Sequence, residues 1–208
     1  MTPKEIEEFL SSVANAKIMK SLMIWGAPGI GKSSIVKDVA RSNKLDLTDL
    51  RLSQLAPTDL RGLPGIHDGK SKWYVPDFLP QKGAGILFLD EINMAPPAMQ
   101  GVAQQLILDR KIGTYRVPDD WYVWAAGNRK EDQAAVFQMP SALSNRFIHV
   151  TVEPDIKSFS AWGLANGLSE QILSFLAFRP ALLHKFASNC PAWPSPRSWE
   201  LADELFKA

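Results

Sequence analysis

Apolar positions along the chain fall into two patterns, short continuous runs and stripes at helical spacing. Leu22 to Trp25 is an apolar run closed by Gly26, which predicts a buried strand. Ile35, Val36, Val39 and Ala40 then share one helical face. Leu45 to Leu52 is a second strand, and Ile86 to Leu89 a third that ends in Asp90-Glu91. After Pro96-Pro97, the positions Met99, Val102, Ala103, Leu106 and Ile107 follow the i, i+3, i+4, i+7, i+8 rule of an amphipathic helix. Trp121 to Ala126 predicts a fourth strand and Ile148 to Val152 a fifth. Ahead of them all, Thr2-Pro3-Lys4-Glu5 has the form of a capping box with proline at the first helical position, and Ile6, Phe9, Leu10 and Val13 continue the helix. Strands alternating with helices define an α/β fold with a parallel five-stranded sheet flanked by helices.

From Asp155 onward the strand pattern stops. Only helical segments follow, broken by Pro180, Pro191, Pro194 and Pro196. The expected division is an α/β core over residues 1–154 and a small helical appendage over 155–208. The chain has 208 residues, which at about 150 per domain is roughly 1.4 domains and fits one domain plus a small unit. Two inserts interrupt the core. Ile66 to Lys70 carries an Asp-Gly turn signal ahead of Trp73-Tyr74-Val75, so a β-hairpin is expected at about Gly65 to Val75. Lys111 to Val117, centred on Gly113, reads as another.

Composition narrows the class. Hydrophobic residues are 46% and charged residues 22%, an ordinary globular balance. Lys plus Arg is 23 against Asp plus Glu 22, a net charge of +1, so no global field favours nucleic acid or an anionic membrane. The longest apolar run is the six residues Trp121 to Ala126, far short of a membrane span. Cys190 is the single cysteine, and the acidic N-terminus lacks the form of an export signal. Together these point to a reducing, cytoplasmic compartment and exclude membrane spans, disulfide-rich secreted folds and coiled coils.

The chemistry begins where the first strand ends. Gly26-Ala27-Pro28-Gly29-Ile30-Gly31-Lys32-Ser33 fits G-x-x-x-x-G-K-[ST], a match that chance produces in roughly one chain per hundred of this length. Its place between a strand and a helix makes it a phosphate cradle: glycines turn successive N–H groups to one point and the helix adds its positive end. Lys32 supplies a charge for the β- and γ-phosphates of a nucleoside triphosphate, the Ser33 hydroxyl is a Mg²⁺ ligand, and Ser34 completes the phosphate-binding run. Asp90, at the C-terminal end of the third strand, is the second candidate Mg²⁺ ligand, and Glu91 the general base for water. Asn128, just past the fourth strand, is placed to hydrogen-bond the γ-phosphate and the attacking water. Arg146, ahead of the fifth strand, is a candidate arginine finger for a neighbouring subunit. Arg197 follows Ser195-Pro196, an N-cap and first-turn pair, so its cation sits at the wrong end for the helix dipole. A phosphate would complete that site.

The order of these features resembles AAA+ ATPases, and within them the MoxR type, over nearly the whole length. Asp90-Glu91-Ile92-Asn93-Met94-Ala95-Pro96-Pro97 is close to the DEIN-x-APP signature, and Arg51 to Gly62 is similar to the segment before the helix-2 insert. The resemblance implies that Lys32 and Ser33 belong to Walker A, Asp90 and Glu91 to Walker B, Asn128 to sensor 1, Arg146 to the finger and Arg197 to sensor 2. It implies that residues 65–75 form the helix-2 insert and 111–117 the hairpin before sensor 1. Met94 stands where arginine is usual, Asn145 where aspartate precedes the finger, and Ala125-Ala126-Gly127-Asn128 departs from Ala-Thr-Gln-Asn. The chain ends eleven residues after Arg197, where the family continues with further helices, so the lid is expected to be small or cut short.

The resemblance implies a Mg²⁺-dependent ATPase that forms a homo-oligomer, typically a hexameric ring, and remodels a protein partner, often one with a von Willebrand factor A domain. Two other readings stay open: a nucleotide-switched scaffold with little turnover, and a nucleic-acid motor or loader. Lys70, Lys72, Trp73 and Tyr74 form a basic-aromatic cluster that suits single strands or a polypeptide, and the near-neutral net charge ranks protein above nucleic acid.

Overall fold

The computed structural model describes residues 1–132, 136–187, 190 and 192–208. Strands β5 (Gly85–Asp90) and β8 (Trp121–Gly127) are buried at every position. Strands covered on both faces belong inside a parallel sheet. They lie there, in a five-stranded sheet of order β2-β5-β8-β1-β9, completed by β1 (Leu22–Trp25), β2 (Asp46–Arg51) and β9 (Ile148–Thr151). Every pairing is parallel. The edge strands β2 and β9 are the half-exposed ones.

The period of two in β5 divides the core. Ile86 and Phe88 pack on one side with α1 (Pro3–Asn15) and α2 (Lys32–Ser42). Leu87 and Leu89 pack on the other with α4 (Pro97–Leu108). At α1 the Thr2 hydroxyl accepts from the Glu5 N–H while the Glu5 carboxylate accepts from the Thr2 N–H, so the predicted capping box is present. Short α3 (Pro57–Arg61) and α5 (Ser141–Ser144) fill connections.

Both predicted hairpins form. The first joins β3 (Leu63–His67) to β4 (Lys70–Tyr74), starting two residues before the expected Gly65. Its turn residues Asp68 and Gly69 both have positive φ, 52° and 69°, as a two-residue hairpin turn requires. The second pairs β6 (Lys111–Ile112) with β7 (Tyr115–Arg116).

Residues beyond 155 contribute α6 (Ile156–Ala165), α7 (Glu170–Phe178) and α8 (Pro196–Lys207). Phe159, Leu168, Ile172, Leu173, Leu176 and Leu183 form a separate hydrophobic cluster there. Asp203 ties α8 to α7: it accepts from the Ser169 N–H at 2.9 Å and from Lys207. Pro191, one of the expected breaks, lies outside the described residues. No helix among the described residues is long and apolar enough to cross a membrane.

Candidate functional site

The register of the sheet assembles the site. Trp25 pairs with Gly127 and Leu89 with Ala125, so Gly26, Asp90 and Asn128 leave the sheet side by side at its C-terminal edge. In open α/β sheets that edge is where ligands bind. Between β1 and α2 the chain turns through two left-handed glycines, Gly29 at φ 76° and Gly31 at φ 96°. Gly31 is the N-cap of α2, and no side chain caps that helix. A Cβ on Gly31 would meet nothing within 4 Å. The result is an open cradle of backbone donors at a helix N-terminus, a geometry that fits phosphate.

Lys32 crosses this loop. Its ammonium donates to the carbonyls of Gly26 (2.8 Å) and Ala27 (3.1 Å) and to Oδ1 of Asn128 (2.8 Å). Burial pulls its pKa down to about 8, with the Arg197 charge adding to the effect and Asp90, Asp132 and Glu91 opposing it. The Ser33 hydroxyl donates to Oδ2 of Asp90 at 2.7 Å. A hydroxyl and a carboxylate oxygen in contact are the hard donors that suit Mg²⁺.

Glu91 sits just past the strand in a left-handed conformation, φ 56°. Such a conformation costs a residue with a side chain about 1–2 kcal/mol. Its surroundings fix it: the Glu91 carbonyl accepts from Met94 and Ala95, and its N–H donates to Oδ1 of Asp90 at 2.8 Å. The Ser53 hydroxyl donates to the Glu91 carboxylate.

Asn128 is buried and bonded on all sides. Its side chain accepts from Lys32 and donates to Sδ of Met94 at 3.1 Å, while its backbone N–H and carbonyl both meet the Asn93 amide. Gly127 beside it leaves room for this clasp, because a Cβ there would lie 2.5 Å from Oδ1 of Asn93 and force that side chain to shift.

Arg197 arrives from α8. The Ser195 and Ser198 side chains cap this helix reciprocally, and the Arg197 N–H donates to the Gly29 carbonyl at 3.3 Å. The turn of Gly29 is pressed against Ser195, whose Oγ would lie 3.0 Å from an added Cβ. Between the loop and these helices is a cavity of about 430 Å³, lined by Pro3, Gly29, Ile30, Gly31 and Ser34 on one side and by Asp155, Phe159, Trp162, Leu183 and Arg197 on the other.

The structure therefore brings together the loop residues Gly26 to Ser34, Asp90, Glu91, Asn128 and Arg197. Arg146 stands apart, exposed on the turn between α5 and β9, with its N–H on the Leu143 carbonyl. Three participants were not among the candidate site residues, although Asn93 and Ser53 lie in stretches that carry the family resemblance. Ser53 and Asn93 act on partners 38 and 35 positions away. Arg129 bonds both oxygens of Asp132 and reaches Glu153 at 2.7 Å, and its bond to Asp132 raises its pKa. It braces the end of β8 against the start of the helical segment.

A glycine cradle, a crossing lysine and a serine–aspartate pair at the C-terminal edge of this sheet define a P-loop nucleotide-binding protein. Residues 21–149 match the model of the ATPase family associated with various cellular activities, AAA, and the chain belongs to that family. It is 25% identical over 162 residues to midasin of Giardia intestinalis, a match spanning 72% of this chain and 3% of midasin. Among solved structures, NtrX from Brucella abortus in complex with ADP superposes with TM-score 0.59 at 17% identity, over 97% of this chain and 48% of NtrX. A RuvB variant from Thermotoga maritima gives TM-score 0.54 at 15% identity, over 98% and 68%. The chain thus spans a small part of midasin and about half of NtrX, and the structural likenesses show a shared fold.

Proposed function

We propose that the chain binds ATP on Gly26 to Ser34 and hydrolyses it as one subunit of a MoxR-type AAA+ assembly. The observation that carries this reading is the convergence of Lys32, the Ser33–Asp90 pair, Glu91 and Asn128 at one sheet edge. Lys32 and the N–H groups at the start of α2 hold the phosphates. Ser33 and Asp90 would hold Mg²⁺, which supplies neutralisation of charge on the β- and γ-phosphate oxygens. Glu91 orients a water and takes its proton as the water oxygen bonds to the γ-phosphorus. The bond from that phosphorus to the β–γ bridging oxygen breaks, and ADP leaves with the electron pair. Asn128 holds the γ-phosphate and water in line. The work is positioning and charge stabilisation.

The cavity beside the loop takes the nucleoside against Ile30, Phe159, Trp162 and Leu183. Residues 155–208 act as the lid domain on a 1–154 core, with Arg197 its contact to the phosphates. Arg146, exposed and remote from its own loop, serves the γ-phosphate of the next subunit in a hexameric ring. Such a ring would work in the cytoplasm on a protein partner, one with a von Willebrand factor A domain being the first to test. A second reading rests on the β3–β4 hairpin. Lys70, Lys72 and Tyr74 project from one face, with Nζ of Lys72 5.8 Å from the Tyr74 ring centroid, an arrangement that suits a nucleic-acid strand as well as a polypeptide.

Phosphate release and ADP affinity, measured in wild type and Glu91→Gln, test the central claim. The variant should bind ADP normally and turn over about 100-fold more slowly. Equal turnover would remove Glu91 from the reaction, and no turnover in the wild type with its partner present would favour a nucleotide-switched scaffold.

A further inference from the structure

The bonds around Asn128 give a role to a residue outside the set assigned above. Pairing between β5 and β8 ends at Leu89 and Ala125, and the Ile92 N–H on the Ala126 carbonyl (3.0 Å) is the last backbone bond between the two segments. Asn128 lies beyond it, where no neighbouring strand supplies backbone partners. The Asn93 side chain replaces them. Its Nδ2 donates to the Asn128 carbonyl at 2.7 Å, and its Oδ1 accepts from the Asn128 N–H at 3.1 Å. One side-chain amide thus meets both backbone groups of Asn128, which a neighbouring parallel strand would satisfy with two residues. Asn93 is 4% exposed, so losing either bond would leave a buried polar group unpaired.

The next residue sets the side chain. Nδ2 of Asn128 donates to the Met94 thioether, and Oδ1 accepts from Lys32. An amide between one acceptor and one donor has a single satisfied orientation, and it turns Oδ1 toward the loop lysine. Asn93 also reaches the far side of the site, because its own carbonyl accepts from the Phe137 N–H at 2.7 Å on the segment leading to α5 and Arg146.

We infer that Asn93 is a positioning residue that fixes Asn128, and with it the distance from Asn128 to Glu91, for hydrolysis. Glu91 and Asn93 belong to one short turn after β5. By clasping the Asn128 backbone, Asn93 ties the residue that activates water to the residue that aligns it. This inference rests on the ATPase reading of Glu91 and Asn128.

The test is a double-variant comparison of Asn93→Asp and Asn128→Ala, alone and combined, in the full chain. Asn93→Asp keeps the shape and the acceptor but sets an oxygen against the Asn128 carbonyl. It should lower kcat about tenfold or more and lower the melting temperature by several degrees, while ADP affinity changes little. In the Asn128→Ala background the same substitution should cost nothing further, because its effect passes through Asn128. An equal loss in both backgrounds, a loss confined to KM, or an unchanged kcat overturns the proposal. Normal turnover in Asn128→Ala instead removes Asn128 from the reaction and takes this inference with it, so the two failures are told apart. If Asn93→Asp does not fold, Asn93→Ser serves, with hydrogen exchange as a second measurement. Exchange at the Asn128 N–H should rise while the Ile92 N–H stays protected, and protection unchanged at Asn128 counts against the clasp.

Discussion

Burial of Lys32 couples nucleotide binding to proton uptake. Its pKa is lowered to about 8, from 10.5, chiefly by removal of its ammonium from water. That difference corresponds to about 3 kcal/mol at neutral pH, present as a cost while the amine is charged in both folded and unfolded chains. As pH rises through 8 the folded chain releases the proton before the unfolded one does, so stability of the nucleotide-free protein rises between about pH 8 and 10.5. A bound phosphate reverses the balance, because an adjacent anion favours the charged amine. Binding ADP must therefore take up the missing proton. With half of Lys32 neutral at pH 8, uptake should be about 0.1 proton per ADP at pH 7, about 0.5 at pH 8 and about 0.9 at pH 9. Affinity should fall about tenfold between pH 7 and 9. Titration calorimetry in buffers of differing ionisation enthalpy reads the proton directly, at pH values above the terminal phosphate's own transition at about 6. Lys32→Arg carries a cation that does not titrate in this range, and any residual binding by it should be proton-neutral. Uptake that is flat from pH 7 to 9, or that persists in Lys32→Arg, would mean that Lys32 is not the group that takes up the proton.

Three further outcomes follow from the same geometry. Ser53→Ala removes the hydroxyl that holds the Glu91 carboxylate; kcat should drop about tenfold with ADP affinity unchanged, and a matching loss of affinity would mean that Ser53 shapes the loop instead. Turnover per subunit should rise with protein concentration through the assembly range and fall about 1,000-fold in Arg146→Ala; sedimentation beside phosphate release checks this, and a concentration-independent wild-type rate would leave Arg146 without a role in trans. Gly29→Ala places a Cβ 3.0 Å from Oγ of Ser195 at a left-handed φ of 76°. It should weaken ADP binding about tenfold by lifting α8 from the loop, whereas Gly69→Ala, also at positive φ but with open space around it, should leave binding intact.

The sheet and the phosphate loop were legible because their signals are local. Runs such as Ile86 to Leu89 and the spacing of Gly26, Gly31 and Lys32 need only neighbours in sequence. Short elements were harder: α3 is five residues and the turn at Leu52–Gln54 is three, too few for periodicity to register. Ser53 and Asn93 lie in stretches that carry the family resemblance, yet their roles were illegible for a different reason. Each matters through one hydrogen bond or one pair of bonds across the sheet edge, and only the parallel register of β5 with its neighbours decides which side chain meets which. Helix α8 marks the same limit. Its caps were readable from Ser195-Pro196, yet nothing local says that Leu201, Leu205 and Phe206 stay exposed.

The seam between the loop and α8 also bears on how the two segments could move together. The helices beyond Asp155 have an apolar centre of their own, and they meet the loop at Gly29, one of its two left-handed glycines. A displacement at Gly29 would be passed to α8 through this contact and would grow with distance along the helix. The exposed apolar residues near the end of that helix are where the travel is largest. The contact of Arg197 with Gly29 thus joins the phosphate loop to the helix that carries the exposed side chains of Leu201, Leu205 and Phe206.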